Sequence, residues 1–171
     1  MGHIPEKETK DIDILTFDKA LKPSGITSYD RDKWLYVPDF YSEYRYILGT
    51  KGDKPLIAIG INPSTAAPDN LDNTLKSVER IALGNGYDSF IMFNVYAQRA
   101  TDPDHMEKKI NGLLHSENMK AFEYVLSLSD KPDILAAWGT IIKNIFTCMP
   151  CKIKQIYQRH IIIALWVNCI T

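Results

Sequence analysis

An asparagine, a serine and a threonine follow the first long apolar run of the chain, at residues 56–60. Because proline has no amide hydrogen and a fixed φ, a strand over this run must end before Pro63. Asn62, Ser64 and Thr65 then lie at the carboxyl end of a buried strand, where ligands bind in open α/β sheets. An asparagine amide there can hold a water or a polar heterocycle, and the free amides of the turn can bind an anion.

Two later apolar runs end in the same way, one at Asn94 and the other at Trp138 and Gly139. If the three strands run parallel, their carboxyl ends, with Gly60 on the first, meet at one edge of the sheet. Asn94 would there either read a heterocyclic ligand or fasten the following loop through backbone hydrogen bonds. Together these residues predict one polar ligand pocket.

Charged side chains near these strand ends have two interpretations each. Asp72 and Asp102 can act as general bases, but both also precede predicted helices and can cap them. Arg99, close to Thr101, can bind a phosphate or carboxylate with two hydrogen bonds, or pair with a surface carboxylate. The glycine patterns of dinucleotide and nucleoside-triphosphate sites are absent from the sequence, so neither ligand class is predicted.

Four residues near the C-terminus are candidate metal ligands: Cys148, Cys151, His160 and Cys169. Four such ligands can close a tetrahedral zinc site. Their spacing matches no common zinc finger, however, and the Cys-x-x-Cys pair follows a predicted helix instead of opening one. We therefore expect neither a metal nor another cofactor.

Composition limits the class of protein. The 171 residues suffice for one domain with a single core, and the amino-acid usage is that of an ordinary soluble protein. A formal net charge of −1 provides no general attraction to nucleic acid, which leaves only a local basic patch for such binding. No early segment combines a charged start with an apolar core, so we expect no export signal, and the apolar run at 161–167 is too short to span a bilayer. We expect a cytoplasmic protein without membrane contact, and the oligomeric state stays open.

The surrounding pattern predicts the elements that position the candidate residues. Residues 1–30 are polar and predict a flexible arm with one strand near 12–17. The aromatic cluster at 34–46 predicts either a flap that packs on the sheet or a stacking surface for a base. Beyond it, a strand, a helix capped at Asp72 and a second strand form a βαβ unit. Residues 31–171 are thus predicted to form one α/β domain, a three-layer sandwich with a short, mainly parallel central sheet.

Short motifs stand in a fixed order between about residues 45 and 140. They are Gly60-Ile61-Asn62-Pro63-Ser64-Thr65-Ala66, Asp72-Asn73-Thr74, the run at 94–103, Glu117-Asn118 and Ala136-Ala137-Trp138-Gly139. In their order and spacing the chain resembles an uncharacterised bacterial and phage family, domain of unknown function 1643. The activity of that family is not established, so the resemblance by itself assigns no reaction.

The same motifs are more distantly similar to the uracil-DNA glycosylase superfamily, in which one strand ends in a Gly-x-x-Pro turn and a later one in Asn-Val. That resemblance implies a uracil-DNA glycosylase-like fold, with Asn62 positioning the attacking water and Asn94 reading the base. The C-terminal His-Pro loop of such enzymes has no counterpart here. We therefore expect the chain from about residue 146 to be atypical, as in a truncated or frameshifted copy with one altered pocket wall.

These patterns favour a pocket protein related to nucleobases, nucleotides or nucleic acid that hydrolyses an N-glycosidic bond. In this hypothesis Asn62, Asp72 and Asp102 are catalytic, and other residues of the strand ends bind the ligand. The ligand-binding set is Gly60, Pro63, Ser64, Thr65, Asn94, Arg99, Thr101, Trp138 and Gly139. The alternative is a non-catalytic module that binds a small ligand or a partner at the same edge.

Overall fold

The computed structural model describes residues 2–25, 27–137 and 162–163, and these residues form an α/β fold. The strands are β1 (Trp34–Val37), β2 (Ile47–Thr50), β3 (Pro55–Gly60), β4 (Ser89–Asn94), β5 (Asp133–Ala136) and the two-residue β6 (Ile162–Ile163). The α-helices are α1 (Phe17–Ala20), α2 (Asn73–Gly84) and α3 (Gly112–Ser127). Short 3₁₀ helices cover Thr9–Asp11 and Pro103–His105. The α/β class predicted from the sequence is confirmed.

The sheet is mixed, with the strand order β1-β2-β4-β3-β5-β6. β3 pairs in parallel with β4 and with β5, and β5 pairs in parallel with β6. β1 and β2 are instead antiparallel strands that extend the sheet beyond β4. The centre of the sheet is therefore parallel, as predicted, while one side is antiparallel. A direct loop over residues 38–46 suffices to join β1 to β2, because antiparallel neighbours need no crossover helix.

Every residue of β3 and β4 is buried, which explains their uninterrupted apolar sequences. Successive side chains of a strand point to opposite faces of the sheet, and the two faces have different partners. On one face, Ala58 packs in a cluster with Leu75 of α2. On the other, Ile57 packs in a cluster with Phe17 of α1 and Phe122 of α3. Helices thus cover both faces of the central strands, and the strand ends carry the polar residues.

The strand expected near residues 12–17 does not form, and α1 begins at the end of this segment instead. Tyrosine hydroxyls, not a neighbouring strand, bind the backbone of Leu15. Its amide donates to Tyr44 Oη at 2.9 Å, and its carbonyl accepts from Tyr46 Oη at 2.8 Å. Phe17 follows and is only 4% exposed. The polar composition of residues 1–30 predicts a flexible arm, but these contacts hold part of it against the sheet.

Glu117 connects the N-terminal segment to α3. Its Oε2 accepts a hydrogen bond from the amide of Phe17 at 2.7 Å, and its Oε1 accepts one from Lys120 Nζ, also at 2.7 Å. Burial works to raise the pKa of Glu117, but the hydrogen bonds from Lys120 and Phe17 outweigh it and leave that pKa below its ordinary value. The folded protein therefore favours the ionised carboxylate.

Replacing Glu117 with glutamine is expected to lower stability at pH 7 by about 1–2 kcal/mol, because charge-assisted hydrogen bonds are replaced by weaker ones. A carboxylate whose pKa is lowered by folding contributes stability above its unfolded pKa of about 4.3 and loses it as pH falls below that value. The variant should therefore lose less stability than the wild type between pH 7 and pH 3. Urea unfolding at both pH values measures this, with Glu6→Gln at an exposed site as the control. Equal pH dependence in all three proteins would contradict the assignment.

Candidate functional site

The carboxyl ends of β3 and β4 lie side by side, with Gly60 opposite Asn94 in the parallel register. Backbone hydrogen bonds continue the pairing past the strands, from the amide of Val95 to the carbonyl of Gly60 at 3.0 Å and from Ala100 to Pro63 at 2.9 Å. The turn after β3 and the loop after β4 are thus fastened to each other. The edge predicted from the two apolar runs is formed as expected.

Asn62 is held in a single orientation at this edge. Its side-chain nitrogen donates to the carbonyl of Ala100 at 2.7 Å and to the carbonyl of Pro63 at 3.2 Å. The residue is half-buried, and its Oδ1 has no hydrogen-bond donor among the described residues. An amide anchored through its nitrogen presents a fixed acceptor oxygen. Such an oxygen can orient a water molecule or a ligand N–H.

Asn94 lies deeper and does not reach the surface, being 1% exposed. Its Oδ1 accepts a hydrogen bond from Arg45 Nη2 at 3.1 Å, and its Nδ2 is buried without a described partner. Gly60 leaves room for this amide, since a Cβ at that position would stand 2.7 Å from Asn94 Nδ2. The side chain of Asn94 is thus bound to Arg45 and not to the backbone of the following loop, and its direct contact with a ligand stays a prediction.

Two buried arginines, Arg45 and Arg99, hold the turn after β3 from beneath. Arg45 Nη1 donates to the carbonyl of Ala66 at 3.1 Å. Arg99 Nη1 donates to the carbonyls of Ser64 and Ala66, the latter at 3.1 Å. The two side chains are 1% and 0% exposed, and the Nε of each is without a described partner. Arg99 therefore sits at the predicted site, bound to backbone instead of a surface carboxylate.

The charges of these arginines are not balanced by ion pairs. Among the described residues, neither guanidinium forms a salt bridge with a carboxylate. Burial lowers the pKa of Arg45 to about 9, and the neighbouring charge of Arg99 acts in the same direction. Arg45 nevertheless stays protonated at neutral pH. The edge of the sheet thus stands over two buried positive charges, which favours ligands that carry negative charge.

Ser64, Thr65 and Thr101 form the outer rim of the site. Ser64 Oγ and Thr101 Oγ1 share a hydrogen bond at 3.0 Å, and the backbone amide of His3 donates to Thr101 Oγ1 at 2.6 Å. Thr101 is exposed, whereas Ser64 and Thr65 are half-buried. Pro63, also predicted in this set, is buried behind them. The structure therefore brings these predicted residues together on an accessible surface.

The two predicted catalytic carboxylates both serve as backbone caps. Asp72 Oδ1 accepts from the amide of Leu75 at 2.9 Å and begins α2. Asp102 Oδ1 accepts from the amide of Asp104 at 2.9 Å in the 3₁₀ turn. The helix-cap interpretation is confirmed for Asp72, whereas Asp102 holds a short 3₁₀ turn. In each carboxylate one oxygen accepts a described hydrogen bond.

A pocket of about 300 Å³ opens beside the turn, and most of its large side chains are aromatic. Its lining includes Tyr29, Tyr36, Asp39, Phe40, Tyr41, Ala67 and Pro68. Arg99, one of the two buried arginines, contacts two residues of the pocket wall. Its Nη2 donates to Tyr36 Oη at 2.9 Å, and its guanidinium lies 4.3 Å from the ring centre of Tyr41. Burial raises the pKa of Tyr36, so its hydroxyl is neutral at pH 7 and keeps its proton for an acceptor. This volume is at the lower end for small-molecule sites.

Sequence reasoning identified the strand ends but not Arg45. The available signal was a lone charged residue between Tyr44 and Tyr46, in a run that is otherwise apolar and aromatic. The aromatic side chains at 34–46 lie in two places, and their use as a stacking surface for a base stays a prediction. Tyr44 and Tyr46 belong to the core, whereas Tyr36 and Tyr41 line the pocket.

Several predicted residues fall outside the described part of the chain. Trp138 and Gly139 lie there, as do all four residues considered for zinc: Cys148, Cys151, His160 and Cys169. Within the ranges that the structure describes, no group of three or more potential metal ligands occurs. In the same ranges, no helix combines the length and apolarity needed to cross a membrane.

The fold and the site define an α/β protein with a buried arginine pair and an aromatic pocket beside the turn after β3. The model of the family described as Protein of unknown function (DUF1643) matches residues 45–164, which include β2 to β6 and the whole turn after β3. The chain belongs to this family. No curated protein and no solved structure matches the chain significantly.

Proposed function

We propose that the protein binds a nucleobase-containing ligand at the carboxyl edge of β3 and β4 and hydrolyses its N-glycosidic bond. One observation carries this proposal: a single loop joins a water-orienting group to an aromatic pocket. Asn62 stands at the start of the loop with its Oδ1 fixed as an acceptor. Ala67 and Pro68, at the end of the same loop, form part of the pocket wall.

The pocket suits a planar heterocycle. The rings of Tyr29 and Tyr36 meet edge to face with 5.8 Å between their centres, and Tyr41 is half exposed at the opening. Aromatic side chains stack on bases, and each stacked base contributes about 1–3 kcal/mol to binding. The hydroxyl of Tyr36 can donate to a carbonyl oxygen of the ligand. A single base fits this combination of size and chemistry better than a dinucleotide.

In the proposed reaction, Asn62 Oδ1 accepts a hydrogen bond from the attacking water, which orients a lone pair of that water toward the sugar C1′. The new C1′–O bond forms as the C1′–N bond breaks, and the bond electrons leave with the base. The proton lost by the water balances the proton taken up by the departing base. Buried arginines beneath the loop favour the negative charge that develops on that base.

The fold is the second support for a glycosylase-type protein. Helix α2 packs against one face of the sheet, and α1 and α3 pack against the other, which supports a three-layer sandwich. We propose that this arrangement is similar to the fold of the uracil-DNA glycosylase superfamily, with the turn after β3 in the place of the water-positioning turn. Asp72 and Asp102 then support catalysis by holding their loops, not as bases.

A non-catalytic binding module is the second candidate, and one observation favours it. Asp72 and Asp102 each hold local backbone through one carboxylate oxygen, which favours a structural role for them over that of a general base. A module would use the same pocket and the same arginine pair to bind a ligand without turnover.

Replacing Asn62 with alanine is expected to reduce base release about 100-fold, because misplacing a reacting group by about 1 Å can cost about 10²-fold in rate. The assay uses single- and double-stranded oligonucleotides carrying modified bases, together with nucleotides. Asn70→Ala, at an exposed position in the same loop, is the matched control and should leave the rate unchanged. Ligand binding without release by the wild type would establish the module. Neither binding nor release from the whole panel would remove both candidates.

A further inference from the structure

The turn at Pro63–Ser64–Thr65 has two backbone amides that lie opposite hydrogen-bonded carbonyls. The carbonyl of Ser64 faces Arg99, and the carbonyl of Pro63 accepts from the amide of Ala100 at 2.9 Å. In a trans peptide the N–H points opposite to the C=O of the same unit, so the amide of Thr65 points away from Arg99 and the amide of Ser64 points away from Ala100. Neither has a hydrogen-bond acceptor among the described residues.

Beneath this turn lies an excess of donors and of positive charge. Arg45 Nε, Arg99 Nε and Asn94 Nδ2 are buried donors without a described acceptor. A buried charge without a counter-charge costs several kcal/mol unless something compensates it. The hydrogen-bond acceptors that the backbone and Tyr36 supply to the two arginines are neutral, so they do not balance the charge. The carboxylate of Asp72 acts on Arg45 without forming an ion pair with it, so the cluster can still take a further negative group.

We infer that the turn is a phosphate site, in which the amides of Ser64 and Thr65 and the hydroxyls of Ser64 and Thr101 bind an oxyanion over the arginine pair. These amides and hydroxyls supply the hydrogen bonds, and the buried guanidiniums supply the field. Glu43 also lies near this rim, where its carboxylate contacts His3 Nε2 at 3.1 Å. This inference rests on the proposed function and specifies its substrate class: nucleotides or phosphodiesters, not free nucleosides.

The test is calorimetric titration of the whole protein with inorganic phosphate at constant ionic strength, with chloride as the matched anion. The wild type should bind phosphate and not chloride. Arg45→Gln, which removes a charge, should weaken phosphate binding at least tenfold, while Arg45→Lys, which keeps the charge, should retain most of it. Circular dichroism verifies the fold of each variant. If Arg45→Gln does not fold, Ser64→Ala combined with Thr101→Val should weaken binding by a similar factor.

Failure of this inference differs from failure of the proposed function. No phosphate binding by the wild type, or equal binding by Arg45→Gln and the wild type, would overturn the phosphate site. Base release from free nucleosides at the same rate as from nucleotides would also overturn it and leave the hydrolase intact. Phosphate binding without any base release would support the site and contradict the hydrolase.

Discussion

Arg99→Met is expected to lower the free energy of unfolding by about 2–5 kcal/mol. We expect this loss to be larger than the loss caused by replacing Arg45, the other arginine of the buried pair. Arg99 is the described donor to the carbonyl of Ser64 and to Tyr36 Oη, and each buried acceptor left without a donor costs about 1–3 kcal/mol. The turn that carries Asn62 would lose its support from beneath. Ligand binding at the edge should therefore fall together with stability.

Arg45→Met provides the matched comparison, because the two side chains are almost equally buried. Ala66 keeps its hydrogen bond from Arg99, and only the bond to Asn94 Oδ1 loses its donor. Removing one of two neighbouring positive charges also relieves their repulsion. We expect a loss of at most about 1–2 kcal/mol. Urea unfolding monitored by circular dichroism compares the stability of the two variants. A larger loss of stability in Arg45→Met than in Arg99→Met would contradict this account of the pair.

Gly49→Ala is expected to destabilise the protein by about 3 kcal/mol or more, or to prevent folding altogether. Gly49 lies on β2 opposite Ile91 of β4. A Cβ at this position would collide with the carbonyl oxygen of Phe90 and stand 2.8 Å from the Cα of Ile91. Both are backbone atoms of the neighbouring strand, so no side-chain movement can relieve the collision. The strands would have to separate, and Arg45, which precedes β2, would move away from Asn94.

Gly84→Ala is the control for this experiment. Gly84 is the last residue of α2, and no atom lies within 4 Å of a Cβ built there. Alanine restricts the unfolded chain more than glycine does and favours the helix, so a gain of up to about 0.5–1 kcal/mol is expected. Thermal unfolding of both variants measures the contrast. A Gly49→Ala protein as stable as the wild type would show that β2 and β4 are less closely paired than described.

The local pattern predicted the elements that carry the site. Continuous apolar runs were sufficient for β3 and β4, since strands covered on both faces need no polar alternation. Pro63 marked the end of the first run, and Asp72 marked the start of α2 because a capping side chain is a local signal. The prediction of a strand near residues 12–17 was wrong, because its backbone partners are hydroxyls of Tyr44 and Tyr46, far along the chain.

The sequence by itself thus determined the parallel centre of the sheet, the polar turn after β3 and the shared edge of Asn62 and Asn94. Tertiary structure alone decided that Asn94 would bind Arg45, 49 residues away, and that Arg99 would pair with the backbone of the turn. The physical reason is the range of the forces involved. Apolar periodicity and caps act between near neighbours in the chain, whereas the burial of a charge depends on which distant groups the fold brings around it.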